Sequence, residues 1–409
     1  MSLKRVVITG MGAVSPFGVG VGTLFEALLA GRSAVRSVPE LAALGGLRTR
    51  VAALVPELDG KEIPRKFRRS MSNMSIFAVL ASQEALAQAG LKEAEWQDGR
   101  TGVAIGSTIG STRATEKFFT DFFLDRSLER MKSTLFFQIM NHSCAANVAH
   151  TFGISGRLLA PSAACATGCQ AVGFAAEAIA LGKQERMLCG GADEFHPLTA
   201  GTFDVMEAAS IGYNDRPQLT PRPFDRRRDG VVCAEGAGIL LLESLDAARL
   251  RGAPILAEVV GFATLSDPTS IANPSAKAIV TCMRAALDDA GLAPAEVGYV
   301  NAHATATEQG DIAEGEAIAA LFGDRVPVSS LKGHLGHAMA ASGSLELIAS
   351  VQMLAHGCLI PTRNLEEPDP ACGALYHLRH QEAAARPALL KNNFALGGVN
   401  SSIVVRSMA

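Results

Sequence analysis

The chain is short of charge, of aromatic residues and of long apolar runs. Only 19% of its 409 residues are Asp, Glu, Lys or Arg, and the formal net charge is −3. So even a balance offers no basic field for nucleic acid and sets aside a general nucleic-acid binder. Aromatic residues make up 5%, with one Trp and three Tyr. No uninterrupted apolar stretch reaches the ~20 residues that span a bilayer, so no membrane association is expected. At the start, Lys4-Arg5 before Val6-Val7-Ile8 mimics a weak signal peptide, but Gly10, Gly12, Ser15 and Pro16 break it. It reads as a strand entering a loop, and the protein as cytoplasmic. The eight cysteines contain no C-x-x-C pair, and neighbours such as Met187-Leu188 before Cys189 are apolar. Reduced, buried thiols are expected rather than a disulfide framework.

Cofactor signatures are also missing. Gly10-Met11-Gly12 lacks a third glycine at dinucleotide spacing, and no G-x-x-x-x-G-K-[ST] occurs. No nicotinamide and no nucleoside triphosphate are expected. His334 and His337 form H-x-x-H, but no acidic or cysteine ligand lies at zinc spacing and Gly336 interrupts a helix face. No metal is expected.

What is present is a large apolar fraction, 48%, and 40 glycines spread beside apolar runs. Strand-like runs (Val6–Thr9, 102–105, 158–160, 187–189, 238–242, 297–300, 326–329, 402–405) alternate with helical patterns (74–89, 171–181, 276–290, 345–354). That alternation predicts α/β layers. One internal echo stands out. Ala85-Leu86-x-x-Ala89-Gly90-Leu91 with Ala94-Glu95 returns about 200 residues later as Ala286-Leu287-x-x-Ala290-Gly291-Leu292 with Ala295-Glu296. Both copies read as a helix with a glycine cap, followed by a strand. A duplicated fold is expected, with residues 1–250 and 251–409 as its halves and a connector at Arg249–Pro254.

Three separated segments suit one acyl-transfer site: Ala164-Cys165-Ala166-Thr167-Gly168, Asn301-Ala302-His303 and Lys332-Gly333-His334-Leu335-Gly336-His337. Cys165 follows an extended apolar segment and precedes a helical one. A sulfur at a helix N-terminus gains thiolate character from the dipole, and small neighbours leave room for substrate. Taken alone, this context is equally that of a buried structural cysteine. His303 follows a strand and precedes the polar turn Thr305-Ala306-Thr307; alone it reads as a hydrogen-bonded loop histidine. Glu346 is a suitable carboxylate for Lys332 in so crowded a site. The run Phe394-Ala395-Leu396-Gly397-Gly398 bends so that backbone N–H groups can face inward as an oxyanion hole. The alternative is a tight turn before the last strand.

Together these motifs resemble the elongating, Cys-His-His β-ketoacyl-acyl carrier protein synthases, most like synthase II of bacterial fatty acid synthesis. Further matches are Arg5–Gly12, Arg222-Pro223-Phe224-Asp225, Arg228-Asp229-Gly230 and Glu235–Gly238. The resemblance covers essentially the whole chain. It implies a thiolase fold, two similar halves in α-β-α-β-α layers, and a homodimer, with a heterodimer with a chain-length partner as the variant. It implies Cys165 as nucleophile, His303 and His337 as the catalytic pair, and Lys332 and Glu346 in support. The N–H groups of Cys165 and Leu396 would form the oxyanion hole. Thr305, Thr307, Phe394 and Leu396 would meet the substrate and its phosphopantetheine arm. Acyl carrier protein is the implied partner, and its phosphopantetheine carries the substrates, so no other cofactor is implied. The basic stretch Lys61, Arg65, Lys66, Arg68, Arg69 becomes a candidate dock for that acidic partner, against a plain solvated face.

The chain departs from the family pattern in places. Leu396 stands where a gating phenylalanine is usual, and Ala304 follows the first catalytic histidine in place of glycine. The loop Ser266–Ala272 lacks the usual Tyr-His-Met-Thr run. Phe118, Phe119, Phe122, Phe123, Phe136 and Phe137 cluster near the expected dimer interface and acyl pocket, or else pack in the core. These changes keep open a specialised polyketide or aryl-polyene pathway beside fatty acid elongation. Other readings fit less well. Cys165 argues against a non-catalytic chain-length subunit. The absence of cysteine in Phe394–Gly398 argues against a degradative thiolase. His337 argues against the Cys-His-Asn enzymes that start chains.

Overall fold

A computed structural model describes residues 3–408; Met1, Ser2 and Ala409 lie outside it. Ten strands build its frame. In the first half they are β1 (Val6–Ser15), β2 (Thr101–Gly106), β3 (Leu158–Leu159), β4 (Arg186–Asp193) and β5 (Gly236–Ser244). In the second they are β6 (Ala257–Ser266), β7 (Val297–Asn301), β8 (Pro327–Ser329), β9 (Ala388–Ala395) and β10 (Val399–Arg406). Between them run α1 (Asn73–Gln88), α2 (Ser143–Phe152), α3 (Thr167–Ala180), α4 (Ala276–Ala290), α5 (Glu308–Phe322) and α6 (Ser342–Ala355).

The halves repeat one topology. In the first the lateral order is β3-β2-β4-β5-β1; in the second it is β8-β7-β9-β10-β6. Pairing sense repeats as well: β2/β3 and β7/β8 are parallel, and β4/β5 and β9/β10 antiparallel. The half-sheets meet edge to edge where Val6, Val7 and Ile8 pair with Val259, Glu258 and Ala257. Helices α3 and α6 pack on each other between the two halves, and α1 and α2 on one side, α4 and α5 on the other, cover the outer faces. That is an α-β-α-β-α stack.

The sequence echo lies where helix meets strand. Gly90 and Gly291, at φ 64° and 63°, end α1 and α4 in the left-handed conformation glycine adopts without cost. A Cβ on Gly10 would lie 2.0 Å from the Ala85 carbonyl oxygen, and one on Gly261 2.2 Å from that of Ala286. The repeated alanines are thus where each outer helix presses on its sheet. Helices α3 and α6 are buried on nearly every face, as the middle layer requires. All eight cysteines are free thiols, and seven are buried. Among the described residues no helix is long and apolar enough to cross a membrane.

The phenylalanine cluster corrects one expectation. Phe119, Phe123 and Phe136 are 45–58% exposed, so the cluster is not core packing, and none of its members lines the cavity described below. Ile109, Leu124 and Leu128 are exposed as well.

Candidate active site

Cys165 sits in the 3₁₀ turn Ala164–Ala166 that feeds α3. Ala164 is held at φ 44°, unusual for a residue with a Cβ, and this sharp turn lifts the sulfur into a cavity of about 410 Å³. His303 follows β7, and its loop is clamped by Glu314 on α5. The Glu314 carboxylate accepts the backbone N–H groups of His303 and Ala304 at 2.8 and 2.6 Å. His337 follows Gly336, which turns the chain at φ 72°. The His337 N–H donates to Val232 O, and its carbonyl accepts from Ala234 N–H, both at 2.8 Å.

These loops bring the sulfur and one nitrogen of each ring within 4.8 Å of one another. His337 Nε2 lies 2.9 Å from Cys165 Sγ. The two imidazoles meet edge to face, with centroids 5.3 Å apart, and Phe394 packs edge-on against His303. The same donor atoms are close enough to hold one metal ion; the acyl chemistry below uses them without one.

Burial governs their protonation. Desolvation pushes the Cys165 thiol up to about 12, although Lys332 and the N–H groups of Cys165 and Leu396, both aimed at the sulfur, pull the other way. The sequence-based expectation of a dipole-favoured thiolate is therefore corrected: the resting group is a thiol, because the loss of water outweighs the helix N-terminus. Burial and then the Lys332 charge pull His337 down to about 3, and His303 falls well below 6.5 for the same two reasons, in that order. Both rings are neutral at physiological pH.

Beneath them lies a buried ion cluster. Glu346 Oε1 is 2.7 Å from Lys332 Nζ, and Oε2 is 2.8 Å from Lys391 Nζ. Burial alone would raise the Glu346 carboxyl; the two ammonium groups overcome it and hold it at about 2. Glu346→Gln would leave two buried cations on a neutral amide. It is expected to cost about 3–5 kcal/mol of unfolding free energy, measured in denaturant. A loss under ~1 kcal/mol, typical of an exposed pair, would contradict a buried role.

Thr305 and Thr307 are half-buried on the cavity wall, their hydroxyls 3.0 Å apart. Phe394 and Leu396 also line the cavity, Leu396 45% exposed. His334 stands apart, its ring nitrogens each 3.1 Å from a backbone carbonyl, Arg32 O and Pro361 O. The basic stretch does not line the cavity. Lys61, Arg65, Lys66 and Arg69 are exposed, Arg68 is half-buried, and Lys61 pairs with Asp59 at 2.6 Å.

Three contributors lacked a sequence-level assignment. Lys391 and Asn393 were visible only as polar residues before the Phe394 turn. Their place in a fully buried central strand was the missing signal, since such strands are normally apolar. Glu314 sits on the buried face of α5 beside Asp311, in a helix that the strand-like and helical runs did not mark.

Residues 3–248 match the Beta-ketoacyl synthase, N-terminal domain family, and residues 256–366 the Beta-ketoacyl synthase, C-terminal domain family. The chain is 36% identical over 408 residues to 3-oxoacyl-[acyl-carrier-protein] synthase 1 of Escherichia coli (strain K12), covering 99% of this chain and 100% of that one. Its fold superposes on a Beta-ketoacyl synthase from Burkholderia phymatum STM815 with a TM-score of 0.96 at 44% identity, covering 99% and 100% of the two chains. It superposes on the ishigamide ketosynthase/chain length factor at 0.91 and 30% identity, covering both chains fully. With its thiolase fold and its Cys165, His303 and His337 on one cavity, the chain belongs to the β-ketoacyl synthase family, an acyltransferase of the Cys-His-His type.

Proposed function

We propose that the protein carries out a decarboxylative Claisen condensation in fatty acid elongation, joining an acyl group held on Cys165 to malonyl-acyl carrier protein and giving 3-oxoacyl-acyl carrier protein. The observation that carries this reading is one sulfur and two neutral imidazoles on one cavity. In the first half-reaction Cys165 Sγ attacks the acyl thioester of the carrier. The S–H proton leaves with the phosphopantetheine sulfur, so no net base is consumed. In the second, the malonyl thioester carbonyl takes hydrogen bonds from the Nε2–H groups of His303 and His337. Loss of CO2 leaves an enolate that those donors stabilise. The enolate carbon attacks the acyl carbonyl on Cys165, and the N–H groups of Cys165 and Leu396 receive the oxyanion. Collapse expels the Cys165 thiolate, which regains a proton from water. Lys332 and Glu346 hold the positive side of the site in place. Thr305 and Thr307 take the phosphopantetheine arm, with Phe394 and Leu396 beside the acyl group. No metal or redox group enters this scheme.

Acyl carrier protein is the proposed partner, with Lys61, Arg65, Lys66, Arg68 and Arg69 as its dock; their exposure supports electrostatic steering. The exposed rings of Phe119, Phe123 and Phe136, joined through ring contacts with one another and with Phe118, support a dimer, since clustered exposed aromatic rings mark an interface. Halves at 1–250 and 251–409 agree with the repeated strand order, and a cytoplasmic setting with free thiols.

A specialised polyketide or aryl-polyene condensation, with a non-identical chain-length partner, is the second reading. Leu396 at the gating position and the likeness to a ketosynthase/chain length factor favour it. The test is incubation with malonyl-carrier protein and a panel of acyl-carrier proteins, with products read by intact mass. Condensation of saturated chains is the expected result; none with any saturated chain would overturn fatty acid elongation. Leu396→Phe is expected to shift chain preference by about tenfold, one extra group in an apolar pocket being worth ~1–3 kcal/mol. An unchanged preference would remove this residue from the gate.

A further inference from the structure

We infer that Asn393 is a positioning residue that fixes which nitrogen of His303 carries the proton, and so sets His303 as the enolate-stabilising donor; the inference rests on the condensation reading above. Asn393 lies on β9 and is fully buried. Its side chain touches two of the three segments of the site at once. Nδ2 lies 3.2 Å from the carbonyl oxygen of Cys165 and 3.3 Å from His303 Nδ1.

The Cys165 contact fixes the amide orientation. A backbone carbonyl only accepts, so the atom facing it must be the NH2 group. Reversing the amide would set two oxygens against each other at 3.2 Å. With NH2 facing both neighbours, the second N–H points at His303 Nδ1, which must therefore accept. A neutral imidazole carries one proton, so that of His303 sits on Nε2. The ring meets the cavity as a hydrogen-bond donor, as an enolate oxygen requires. The other amide atom, Oδ1, has no hydrogen-bond partner among the described residues, so the two contacts of Nδ2 account for the polar role of this side chain.

The two histidines then differ. His337 Nδ1 has no hydrogen-bond partner among the described residues, and its Nε2 faces only Cys165 Sγ, a thiol that can donate or accept, so no contact of one fixed sense ties that ring to one tautomer. His303 is tied by Asn393, while the Glu314 clamp on its backbone sets where the ring starts. β9 extends the same support. Asn392 Nδ2 reaches Glu314 Oε1 at 3.2 Å, and Lys391 reaches Glu346. Lys391, Asn392 and Asn393 thus place three consecutive side chains under the loops of the site.

The test combines histidine ¹⁵N NMR of the wild-type protein with the variant Asn393→Asp. In the wild type the His303 resonance, assigned by its loss in His303→Ala, is expected to report the Nε2–H tautomer. In Asn393→Asp a carboxylate accepts the proton of Nδ1, leaving Nε2 as a bare acceptor. The kcat for malonyl decarboxylation is expected to fall about a hundredfold with little change in KM. Part of that loss should be recovered as pH falls, because the carboxylate favours the imidazolium, which again carries a proton on Nε2. Circular dichroism and the thermal unfolding midpoint of the variant serve as the folding control. An Nδ1–H tautomer in the wild type would overturn the inference without any variant, as would unchanged decarboxylation in a folded Asn393→Asp protein. If His303→Ala itself kept full decarboxylation, the condensation reading would fail instead, whatever the tautomer.

Discussion

Cys165→Ala is expected to abolish transfer of an acyl group to the protein. Mixed with acyl-carrier protein, the wild type should gain the mass of one acyl group, and the variant none. Loss of a catalytic nucleophile costs on the order of 10⁶-fold in rate in a comparable acyl-transfer site, well beyond detection. The physical basis is specific. Seven cysteines are buried, yet Cys165 is the one whose sulfur faces the N–H groups of itself and Leu396 and a neutral imidazole 2.9 Å away. Cys169, one helical turn on, is 1% exposed and outside the cavity lining. An acyl adduct that survives in the variant would place the nucleophile elsewhere. Because burial holds the thiol at about 12, alkylation of Cys165 by a small reagent should be slow at pH 7 and rise with pH.

The second large effect concerns the histidines. His303→Ala and His337→Ala are each expected to cut decarboxylation of malonyl-carrier protein by about 10²–10³-fold, the scale for one lost oxyanion donor. Self-acylation should survive in both, since thiol-for-thiol exchange carries its own proton. The reverse split would refute the assignment of roles. The pH dependence follows from the same burial. The folded His337 value, about 3, lies below that of a free histidine near 6.5. Its neutral ring is therefore fully populated above both values. Decarboxylation should show no inflection between pH 8 and 5, and an acid limb centred near 6.5 would contradict neutral donors. The sign for stability is the same. The unfolded chain takes up protons first, so this contribution is complete above pH ~6.5 and declines as pH falls toward the folded value.

Much of this was legible in the sequence, for identifiable reasons. The helix at 276–290 was marked to the residue by its alanine and leucine spacing and by Gly291, which the structure holds at φ 63°. The echo at Ala85 and Ala286 was legible because close helix-to-strand contact demands small residues at the same point in both halves. Cys165, His303 and His337 stood out through turn-forming neighbours. What escaped was set by tertiary context. β6 and β9 were not marked, as Glu258 and Lys391-Asn392-Asn393 interrupt their apolar pattern. Those polar residues are buried against partners far away in the chain, Arg5, Glu346, Glu314 and Cys165. The charge state of Cys165 was misjudged because a local motif shows the helix dipole but not how completely water is excluded. The phenylalanine cluster was assigned to the dimer interface and acyl pocket or to the core; exposure of Phe119, Phe123 and Phe136 removes the core alternative, which a local run of aromatic residues could not decide.

The most direct measurement follows one acyl group through a single turnover. Wild-type protein is loaded with an isotopically labelled acyl chain, freed of carrier, and mixed with unlabelled malonyl-carrier protein. The label is predicted to leave Cys165 and to appear in 3-oxoacyl-carrier protein with release of CO2. Label that remains on the protein while CO2 is released, or product formed without it, would contradict a sulfur and two imidazoles acting together in one cavity.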